Sequence, residues 1–201
     1  MVVAQLVEHL PVEQAVGGSI PLNHPKIMAS FKFCPICGSK LQDKKINGHP
    51  VPTCSNSSCN FKFYQSSKPT ASAIITNDKG KILLSVRSIE PQKGKIDIIG
   101  GFLENGEDPI EGLKREVREE LGVEIKVIKI IGIFIDKYMY DKRLDDIYTF
   151  NVFYEAKIIS GKPKPADDIS EVIWVDKNTV PWDKLAFKNT RLALKKYFEI
   201  K

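Results

Sequence analysis

The segment from Asp108 to Gly122, DPIEGLKREVREELG, specifies one amphipathic helix together with both of its ends. Asp108 is a favourable N-cap, Pro109 suits the first helical position, and Glu111 has the spacing of a reciprocal capping glutamate. Gly122 is a typical C-terminal stop. The apolar residues share one stripe at about 100° per residue, so this face is predicted to pack on a sheet. They are Ile110, Leu113, Val117 and Leu121.

Glutamates occupy a second face of this helix, at Glu116, Glu119 and Glu120. The i, i+3, i+4 spacing brings their carboxylates together within one turn, roughly 90° or more from the apolar stripe. Like charges this close destabilise a helix, whereas a divalent cation such as Mg²⁺ or Mn²⁺ prefers such oxygen ligands. Two interpretations follow: a metal site, or a solvated acidic face of the kind common on protein surfaces.

Length and composition allow one domain of ordinary size and a smaller unit, since the chain has 201 residues, 42% of them hydrophobic and 27% charged. No apolar run approaches the roughly 20 residues that span a bilayer, and the first residues lack the pattern of a secretion signal. We therefore expect a cytoplasmic protein without a membrane partner. The formal net charge of +5 suits an anionic partner but identifies none.

Residues 1–27 are predicted to be a non-native, disordered extension, with Met28 as the expected start. Back-translation of residues 3–21 gives codons that resemble the D-arm and the T-arm of a transfer RNA gene at the matching distance. This indicates a reading frame extended upstream through such a gene. The alternative is an amphipathic arm, because residues 6–10 have helical spacing, although Pro11 would end that helix early.

The cysteines lie in two short knuckles, CPIC and CSNSSC, on either side of the turn signal NGHP. They are Cys34, Cys37, Cys54 and Cys59. The pattern resembles a zinc ribbon and predicts a tetrahedral Zn²⁺ within residues 28–67, although four residues rather than two separate the second pair. Disulfides and free thiols are the alternatives, and His24 or His49 could substitute as a ligand. An ion with four sulfur ligands has no open position, so its predicted role is structural.

After Pro69 the sequence reads as strands and helices. TASAIITN and KILLSV, on either side of DKG, predict the two strands of a hairpin. Later strands are predicted at EIKVIKIIGIFI, YTFNVFYEAKII and EVIWV, a second helix at FKNTRLALKKYFEI, and a loop at SGKPKPADD. A mixed sheet with helices on its faces is the expected result, which is an α/β or α+β sandwich.

The glutamate helix is part of a longer motif. It consists of Gly101, five residues, Glu107, seven residues and Arg115-Glu116-Val117-Arg118-Glu119-Glu120-Leu121-Gly122-Val123. This motif is similar at every defined position to the signature of the Nudix hydrolases, and the resemblance extends over roughly residues 69–201. It implies a Nudix domain at residues 68–201 with an α/β/α sandwich fold. It also implies metal-assisted attack of water on a nucleoside diphosphate linked to another moiety, X.

The resemblance assigns a metal site by position. Glu116 and Glu120 would be the main ligands of a catalytic Mg²⁺ or Mn²⁺, with Glu119 as a third carboxylate. The carbonyl oxygen of Gly100 would complete the site.

The same resemblance implies that Arg115 and Glu107 pair and hold the loop onto the helix. The general base stays open between Glu119 and the acids of the later loop. Those acids are Asp167, Asp168 and Glu171. Aromatic side chains are candidates to stack on a nucleobase, with a place in the core as the alternative. They are Phe102, Phe134, Tyr138 and Tyr140.

Two partial resemblances address the substrate. A zinc ribbon before a Nudix domain resembles the NADH pyrophosphatases, but their motif SQPWPFPxS is absent after the box. The C-terminal VPWDKLAFKNTRLALKKYF resembles the end of zinc-ribbon Nudix enzymes associated with ADP-ribose and FAD, which are therefore the favoured substrates. NADH is the alternative substrate.

A nucleotide sensor whose ribbon contacts nucleic acid is an alternative from another class. We expect no nucleic-acid contact, because lysine and arginine are not concentrated around the cysteine knuckles. The third hypothesis is that the ribbon only stabilises the chain or forms a homodimer beside the enzyme.

Overall fold

The computed structural model describes residues 31–138 and 147–200. The predicted extension at residues 1–27 and Tyr140 lie outside the described residues. The chain divides after Ser67 into two compact units, the first containing residues 31–67 and the second containing Lys68–Tyr138 and the chain from Thr149 onwards. Within the described residues, no helix is long and apolar enough to cross a membrane.

The first unit is built on an antiparallel pair of strands, β1 (Leu41–Ile46) and β2 (His49–Cys54). The turn signal NGHP lies where they join. Asn47 and Gly48 both have positive φ, 51° and 84°, as a two-residue hairpin turn requires. The second cysteine knuckle begins at Cys54, the last residue of β2.

The second unit contains a four-stranded sheet with the order β6-β3-β8-β7 and a three-stranded sheet with the order β5-β4-β9. The strands are β3 (Lys68–Ile75), β4 (Ile82–Arg87), β5 (Ile96–Asp97), β6 (Ile99–Phe102), β7 (Glu124–Tyr138), β8 (Ile147–Ser160) and β9 (Ile169–Val175). The helices are α1 (Pro109–Leu121) and α2 (Lys188–Glu199), with 3₁₀ turns at Lys177–Thr179 and Trp182–Lys184. The larger sheet is mixed, because β3 runs antiparallel to β6 and parallel to β8.

The predicted hairpin is wrong. β3 and β4 follow each other along the chain, but they belong to different sheets and share one isolated bridge, between Thr76 and Ile82. Both strands carry fully buried apolar side chains on consecutive positions, such as Ile74 and Ile75 in β3. A strand that is apolar on both faces buries more surface as a central strand, so each of the two lies in the interior of its own sheet.

Two hydrophobic clusters lie on opposite sides of the strands. The first packs Leu113 of α1 against residues that include Ile75. The second packs Leu194 of α2 against residues that include Ile74, the next position along β3. Because neighbouring residues of a strand point to opposite faces, the two helices cover opposite sides of the strands. The predicted α/β/α sandwich is therefore confirmed.

Helix α1 begins and ends where the sequence predicts. The Asp108 carboxylate accepts hydrogen bonds from the backbone N–H groups of Ile110 (2.9 Å) and Glu111 (3.2 Å). Gly122 ends the helix in the left-handed conformation, with φ 66°. The Glu111 carboxylate, predicted to reach back to the cap, pairs instead with Lys114 at 2.8 Å. The cap fixes where the first turn starts and hence which side chains face the sheet.

Candidate active site

Helix α1 turns two glutamates into a cleft because its apolar stripe is anchored in the core. Leu113 and Val117 are fully buried, and this fixes the rotation of the helix about its axis. Glu120 is only 6% exposed and Glu116 is half-buried, and both line the cleft. The cleft has a volume of about 200 Å³. Ligand pockets usually measure about 300–1,000 Å³, so this cleft encloses part of a nucleotide derivative rather than all of it.

Two glycines of β6 let the strand approach a glutamate of α1 on one side and strand β3 on the other. A Cβ atom on Gly101 would lie 2.5 Å from the Glu116 carboxyl carbon, and one on Gly100 would lie 2.2 Å from the Ala71 carbonyl oxygen. The backbone N–H of Gly100 donates to Glu120 Oε2 at 3.1 Å. The missing side chain of Gly101 thus leaves the space that the Glu116 carboxylate occupies, and that of Gly100 lets β6 lie close against β3.

Arg115 connects the loop before α1 to the acidic cluster. Its Nε and Nη2 donate to the two oxygens of Glu107, at 2.9 and 3.0 Å, so the pair predicted from the motif is present as a bidentate contact. Its Nη1 contacts Glu116 at 2.9 Å and Glu119 at 3.0 Å, and its Nη2 reaches the carbonyl oxygen of Phe102 at 3.1 Å. One guanidinium therefore holds a loop, a strand and a glutamate of the cleft.

Replacing Glu107 by glutamine is expected to lower the free energy of unfolding by about 2 kcal/mol at neutral pH. Hydrogen bonds from Arg115 lower the pKa of Glu107 from 4.5 to about 2. A folded-state pKa below the unfolded one contributes stability above pH 4.5, and this contribution is lost as the pH falls towards about 2. The stability difference between wild type and variant, measured by urea unfolding, should therefore be constant above pH 5 and narrow below about pH 4.5.

A difference between wild type and Glu107→Gln that does not depend on pH would contradict an ionic pair. Glu111→Gln is the matched control, because its partner Lys114 lies on the exposed side of the same helix and the Glu111 side chain is 63% exposed. Surface pairs of this kind contribute about 0–1 kcal/mol.

The loop before β9 brings a third acid into the cleft. Its backbone caps the end of α1, because Lys164 N donates to the Leu121 carbonyl oxygen at 3.0 Å and Ala166 N to that of Glu120 at 2.9 Å. Asp168, two residues further on, lines the cleft and comes within hydrogen-bonding reach of the Glu120 carboxylate.

The three acidic residues predicted on this loop differ in position: two line the cleft and one does not. Asp167 lines the cleft beside Asp168 and has φ 52°, a left-handed conformation that turns the chain. Glu171 is exposed and lies outside the cleft lining. Of the loop candidates for the general base, only the two aspartates therefore face the glutamates of α1.

The protein around the two glutamates of the cleft disfavours their charged forms. Burial raises the pKa of Glu120 well above its ordinary value, and the neighbouring Asp168 raises it further. Burial likewise raises the pKa of Glu116, against the opposing effect of Arg115. Carboxylates that share such a site bind a hard divalent cation readily, because the cation compensates charges that the protein leaves uncompensated.

Glu119 occupies a different position from the other glutamates. Its side chain is 51% exposed, its Oε2 contacts Arg115, and it is not among the residues that line the cleft. The structure thus brings together Glu116, Glu120 and the backbone of Gly100, and leaves Glu119 at the rim.

Aromatic side chains also line the cleft. Tyr138 stacks on Phe187 with ring centres 5.4 Å apart and an angle of 28°, and contacts Phe102 edge-on at 5.4 Å. The guanidinium of Arg87 lies over the Phe187 ring at 5.2 Å. Helix α2 fixes Phe187, which immediately precedes it, because Asp136 of β7 accepts a hydrogen bond from the backbone N–H of Asn189 at 2.7 Å.

A buried polar network supports these aromatic side chains. Asp97 accepts hydrogen bonds from the Thr190 hydroxyl at 2.7 Å and the Ile98 backbone at 2.8 Å, and pairs with Arg87 at 3.4 Å. Burial raises the pKa of Asp97 despite these contacts. Arg87 also donates to the Tyr138 hydroxyl at 3.3 Å. The network holds Arg87 against the aromatic rings.

Sequence reasoning identified Phe102 and Tyr138 but missed Phe187 and Arg87. Phe187 lies in the C-terminal segment whose resemblance to ADP-ribose and FAD enzymes was the available signal, whereas nothing local marks Arg87. Phe134 packs edge-on against Phe153 at 5.7 Å in the second hydrophobic cluster, outside the cleft lining.

The cysteines of the first unit converge as the zinc-ribbon pattern predicts. The sulfur atoms of Cys34, Cys37, Cys54 and Cys59 all lie within 4.8 Å of one another. The Cys34–Cys59 and Cys37–Cys54 sulfurs are 3.7 and 3.4 Å apart, close to the roughly 3.8 Å between thiolates around a tetrahedral Zn²⁺ and far above the 2.05 Å of a disulfide. The donor set therefore fits Zn²⁺.

The unusual length of the second knuckle has a local explanation. The Asn56 side chain accepts a hydrogen bond from Ser58 N at 2.9 Å, and the Asn56 carbonyl accepts one from Cys59 N at 3.0 Å. These bonds form a compact turn that folds the extra residues back. Four intervening residues thus bring Cys59 to the other sulfurs as two would.

A family model described as the NUDIX domain matches residues 66–196, and the chain belongs to the Nudix family. It is a hydrolase of pyrophosphate bonds. The segment from Gly101 to Val123, which suggested this family from the sequence, lies within the matched residues.

Individual relatives and structures agree with this assignment. The chain is 32% identical over 132 residues to an ADP-ribose pyrophosphatase from Methanocaldococcus jannaschii, covering 66% of this chain and 74% of the relative. It is 30% identical over 116 residues to the NAD-capped RNA hydrolase NudC from Mannheimia succiniciproducens, covering 56% of this chain and 42% of the relative. A crystal structure of a NUDIX hydrolase from Nitrosomonas europaea superposes with a TM-score of 0.70 at 25% identity, covering 85% of this chain and 92% of that one.

Proposed function

We propose that the chain hydrolyses the diphosphate bond of a nucleoside diphosphate linked to X, with ADP-ribose or FAD favoured, and that it depends on a divalent cation. The products are a nucleoside monophosphate and a phosphorylated second product. One observation carries the proposal: a single cleft is lined by Glu116, Glu120 and Asp168 and also by Phe187 and Arg87. A cation-bridged diphosphate suits the acidic side chains, and a planar base suits the aromatic ring with its guanidinium.

The acidic side chains of the cleft are the oxygen donors that a Mg²⁺ or Mn²⁺ site would use. Glu116 and Glu120 would hold the cation, and the carbonyl oxygen of Gly100 would complete the set. When bound, such a cation neutralises phosphate oxygens and lowers the pKa of a coordinated water. Arg115 orients Glu116 through its 2.9 Å contact.

Asp168 is the better candidate for the proton acceptor. It lines the cleft within reach of Glu120, so a water positioned by the glutamates can transfer a proton to its carboxylate. Glu119 is the weaker candidate, because its side chain is 51% exposed and paired with Arg115 at the rim.

The first unit is assigned a structural role beside this chemistry. We assign residues 28–67 to a zinc ribbon with one Zn²⁺ held by Cys34, Cys37, Cys54 and Cys59, and residues 68–201 to the Nudix domain. The four thiolates leave no open coordination position, so the ribbon ion takes no part in hydrolysis.

Two observations support ADP-ribose as a substrate: the aromatic side chains of the cleft and the name of the Methanocaldococcus relative. The Tyr138–Phe187 pair and the overlying Arg87 offer a flat surface for adenine, and ADP-ribose, FAD and NADH all contain an adenosine diphosphate. NADH stays the alternative substrate. The NudC relatives are named for NAD-capped RNA, and the chain spans only about half of their length.

A hydrolysis panel with identified products tests the proposal. The full chain is incubated with Mg²⁺ or Mn²⁺ and, separately, ADP-ribose, FAD, NADH and an oxidised nucleoside triphosphate, and products are separated by ion-exchange chromatography. We expect AMP and ribose 5-phosphate from ADP-ribose, and slower release of AMP from NADH. Tight ADP-ribose binding without any product would identify a nucleotide sensor instead, and faster NADH hydrolysis would establish the alternative substrate.

Replacing Phe187 by leucine is expected to raise KM for ADP-ribose about 10-fold with a small change in kcat, because base–aromatic stacking contributes about 1–3 kcal/mol. Leucine keeps apolar bulk at the start of α2 but removes the flat ring. Phe187→Tyr should restore KM, and Phe150→Leu is the matched control, since Phe150 is 40% exposed and lies outside the cleft lining. An equal fall in kcat with unchanged KM would show that Phe187 does not contact the base.

A further inference from the structure

The register of the first unit collects lysines on one face of its sheet. Residues directly opposite each other in antiparallel strands project to the same side, and so do alternate residues of one strand. Phe33 pairs with Lys40, Gln42 with Thr53, and Thr53 in turn with Lys62, while Lys44 lies opposite Val51. The side chains that share this surface, called here the lysine face, are Phe33, Lys40, Gln42, Lys44 and Lys62.

All five side chains of the lysine face are exposed, whereas the residues beneath them are covered. Val51 and Thr53, on the central strand of this face, are only 6% and 7% exposed. Lysine stems can cover such positions while their ammonium groups stay in water. The face is therefore a solvated surface that carries its charge outward.

Acidic residues are nearly absent from residues 31–67 of this unit. Residues 31–67 contain five lysines and one acidic residue, Asp43, which alternates to the opposite face of β1. Within the described parts of the chain, no ion pair occupies Lys40, Lys44 or Lys62. Lysine and arginine are no denser here than elsewhere in the sequence, but among residues 31–67 Asp43 is the one acid that could offset their charge. The expectation of no nucleic-acid contact was based on the density of lysine and arginine alone and did not include the scarcity of acidic residues.

Exposed aromatic rings accompany the lysines. Phe33 is 55% exposed on the face itself, and Tyr64, two residues beyond Lys62, is 64% exposed. Lys40 and Lys44 are separated by four residues of extended chain, roughly 13 Å, so they can reach different phosphates. A positive surface that follows a backbone, with rings on which bases stack, is the combination that binds single-stranded nucleic acid. A membrane would instead require an amphipathic segment with a large apolar face.

We propose that the lysine face of the first unit binds single-stranded nucleic acid, with RNA as the probe. Lys40, Lys44 and Lys62 contact phosphates, and Phe33 stacks on a base. The contact is independent of base identity, because the face presents ammonium groups and a ring rather than a fixed pattern of donors and acceptors. The proposal is independent of hydrolysis and extends the function of the chain beyond a small-molecule substrate.

Fluorescence anisotropy with a labelled single-stranded oligouridine tests the binding. The full chain is titrated at several salt concentrations between about 50 and 200 mM. We compare wild type with the triple variant Lys40→Gln, Lys44→Gln, Lys62→Gln. We expect affinity to fall at least about 10-fold, and the slope of log K against log salt to become shallower by about 2, since each single-strand phosphate contact contributes about 0.7.

A matched control removes the same charge elsewhere. Lys79, Lys126 and Lys184 are exposed residues of the second unit, and their triple glutamine variant has the same net charge as the test variant. It should bind like wild type. Phe33→Ala should weaken binding while leaving the salt slope unchanged, because stacking releases no counterions. Zinc content equal to wild type shows that each variant retains its ribbon.

The proposal fails if wild type shows no salt-dependent binding, or if both triple variants lose affinity equally, which would indicate a diffuse charge effect. Binding to phosphatidylserine vesicles but not to oligouridine would also overturn it and identify a membrane surface. Each result is independent of the hydrolysis panel, because the oligonucleotide carries no nucleoside diphosphate bond to cleave.

Discussion

Replacing Glu120 by glutamine is expected to lower kcat for ADP-ribose hydrolysis about 10³-fold, since a lost metal ligand removes several kcal/mol of transition-state stabilisation. Glutamine has the same shape but binds a divalent cation weakly. The Glu120 side chain is 6% exposed and accepts a hydrogen bond from Gly100 N at 3.1 Å. Because it is so enclosed, no other carboxylate can move in to take its place. The measurement is steady-state hydrolysis at saturating Mg²⁺.

Stability separates this loss from misfolding. Burial and Asp168 raise the pKa of Glu120, so a charge at this position destabilises the metal-free fold at neutral pH, and glutamine removes that charge. Without divalent cation, the variant should have a Tm equal to or above that of wild type. Mg²⁺ or Mn²⁺ should raise the Tm of wild type, by mass action, and leave that of the variant unchanged.

Glu119→Gln is the matched control on the same turn of α1. It lies at the rim, 51% exposed and paired with Arg115, so we expect less than about a 10-fold change in kcat. If Glu119→Gln and Glu120→Gln reduce activity equally, the exposed glutamate moves into the site when the cation binds, and the separation of their roles is wrong.

Local signals made the position of these glutamates predictable. The cap at Asp108 and the stop at Gly122 depend on neighbouring residues only, and the apolar stripe fixes the rotation of the helix. Glu116 and Glu120 follow from that rotation. The cysteine cluster was predictable for a similar reason, because spacing along short knuckles determines which sulfurs meet.

Features that depend on distant partners were not predictable in the same way. The hairpin prediction failed because a turn signal shows that two strands follow each other, not that they pair. Asp168 reaches Glu120 because the loop backbone caps α1 through Ala166 N. Phe187 reaches Tyr138 because Asp136, more than fifty residues away in sequence, caps the start of α2 at Asn189 N. No local pattern contains these contacts.

Replacing Cys54 by serine is expected to abolish the binding of one Zn²⁺ per chain and to unfold residues 31–67. Burial raises the pKa of the Cys54 thiol to about 12, so this sulfur is ionised at neutral pH only with a cation beside it. Structural zinc sites supply about 10–16 kcal/mol to the folding of small modules, which far exceeds what this small, two-stranded unit can gain otherwise. Metal analysis and hydrogen exchange of the backbone measure the two effects.

The second unit should survive this change. Both of its hydrophobic clusters consist of residues from Ala71 onwards, so its core does not depend on the ribbon. We therefore expect ADP-ribose hydrolysis to continue with kcat close to that of wild type, while oligouridine binding is lost with the sheet that presents Lys40 and Phe33. Ser55→Ala, an exposed neighbour outside the sulfur cluster, is the control and should retain zinc and both activities. A Cys54→Ser chain that keeps a full equivalent of zinc would show that three cysteines suffice, and one that loses hydrolysis as well would show that the Nudix domain requires the folded ribbon.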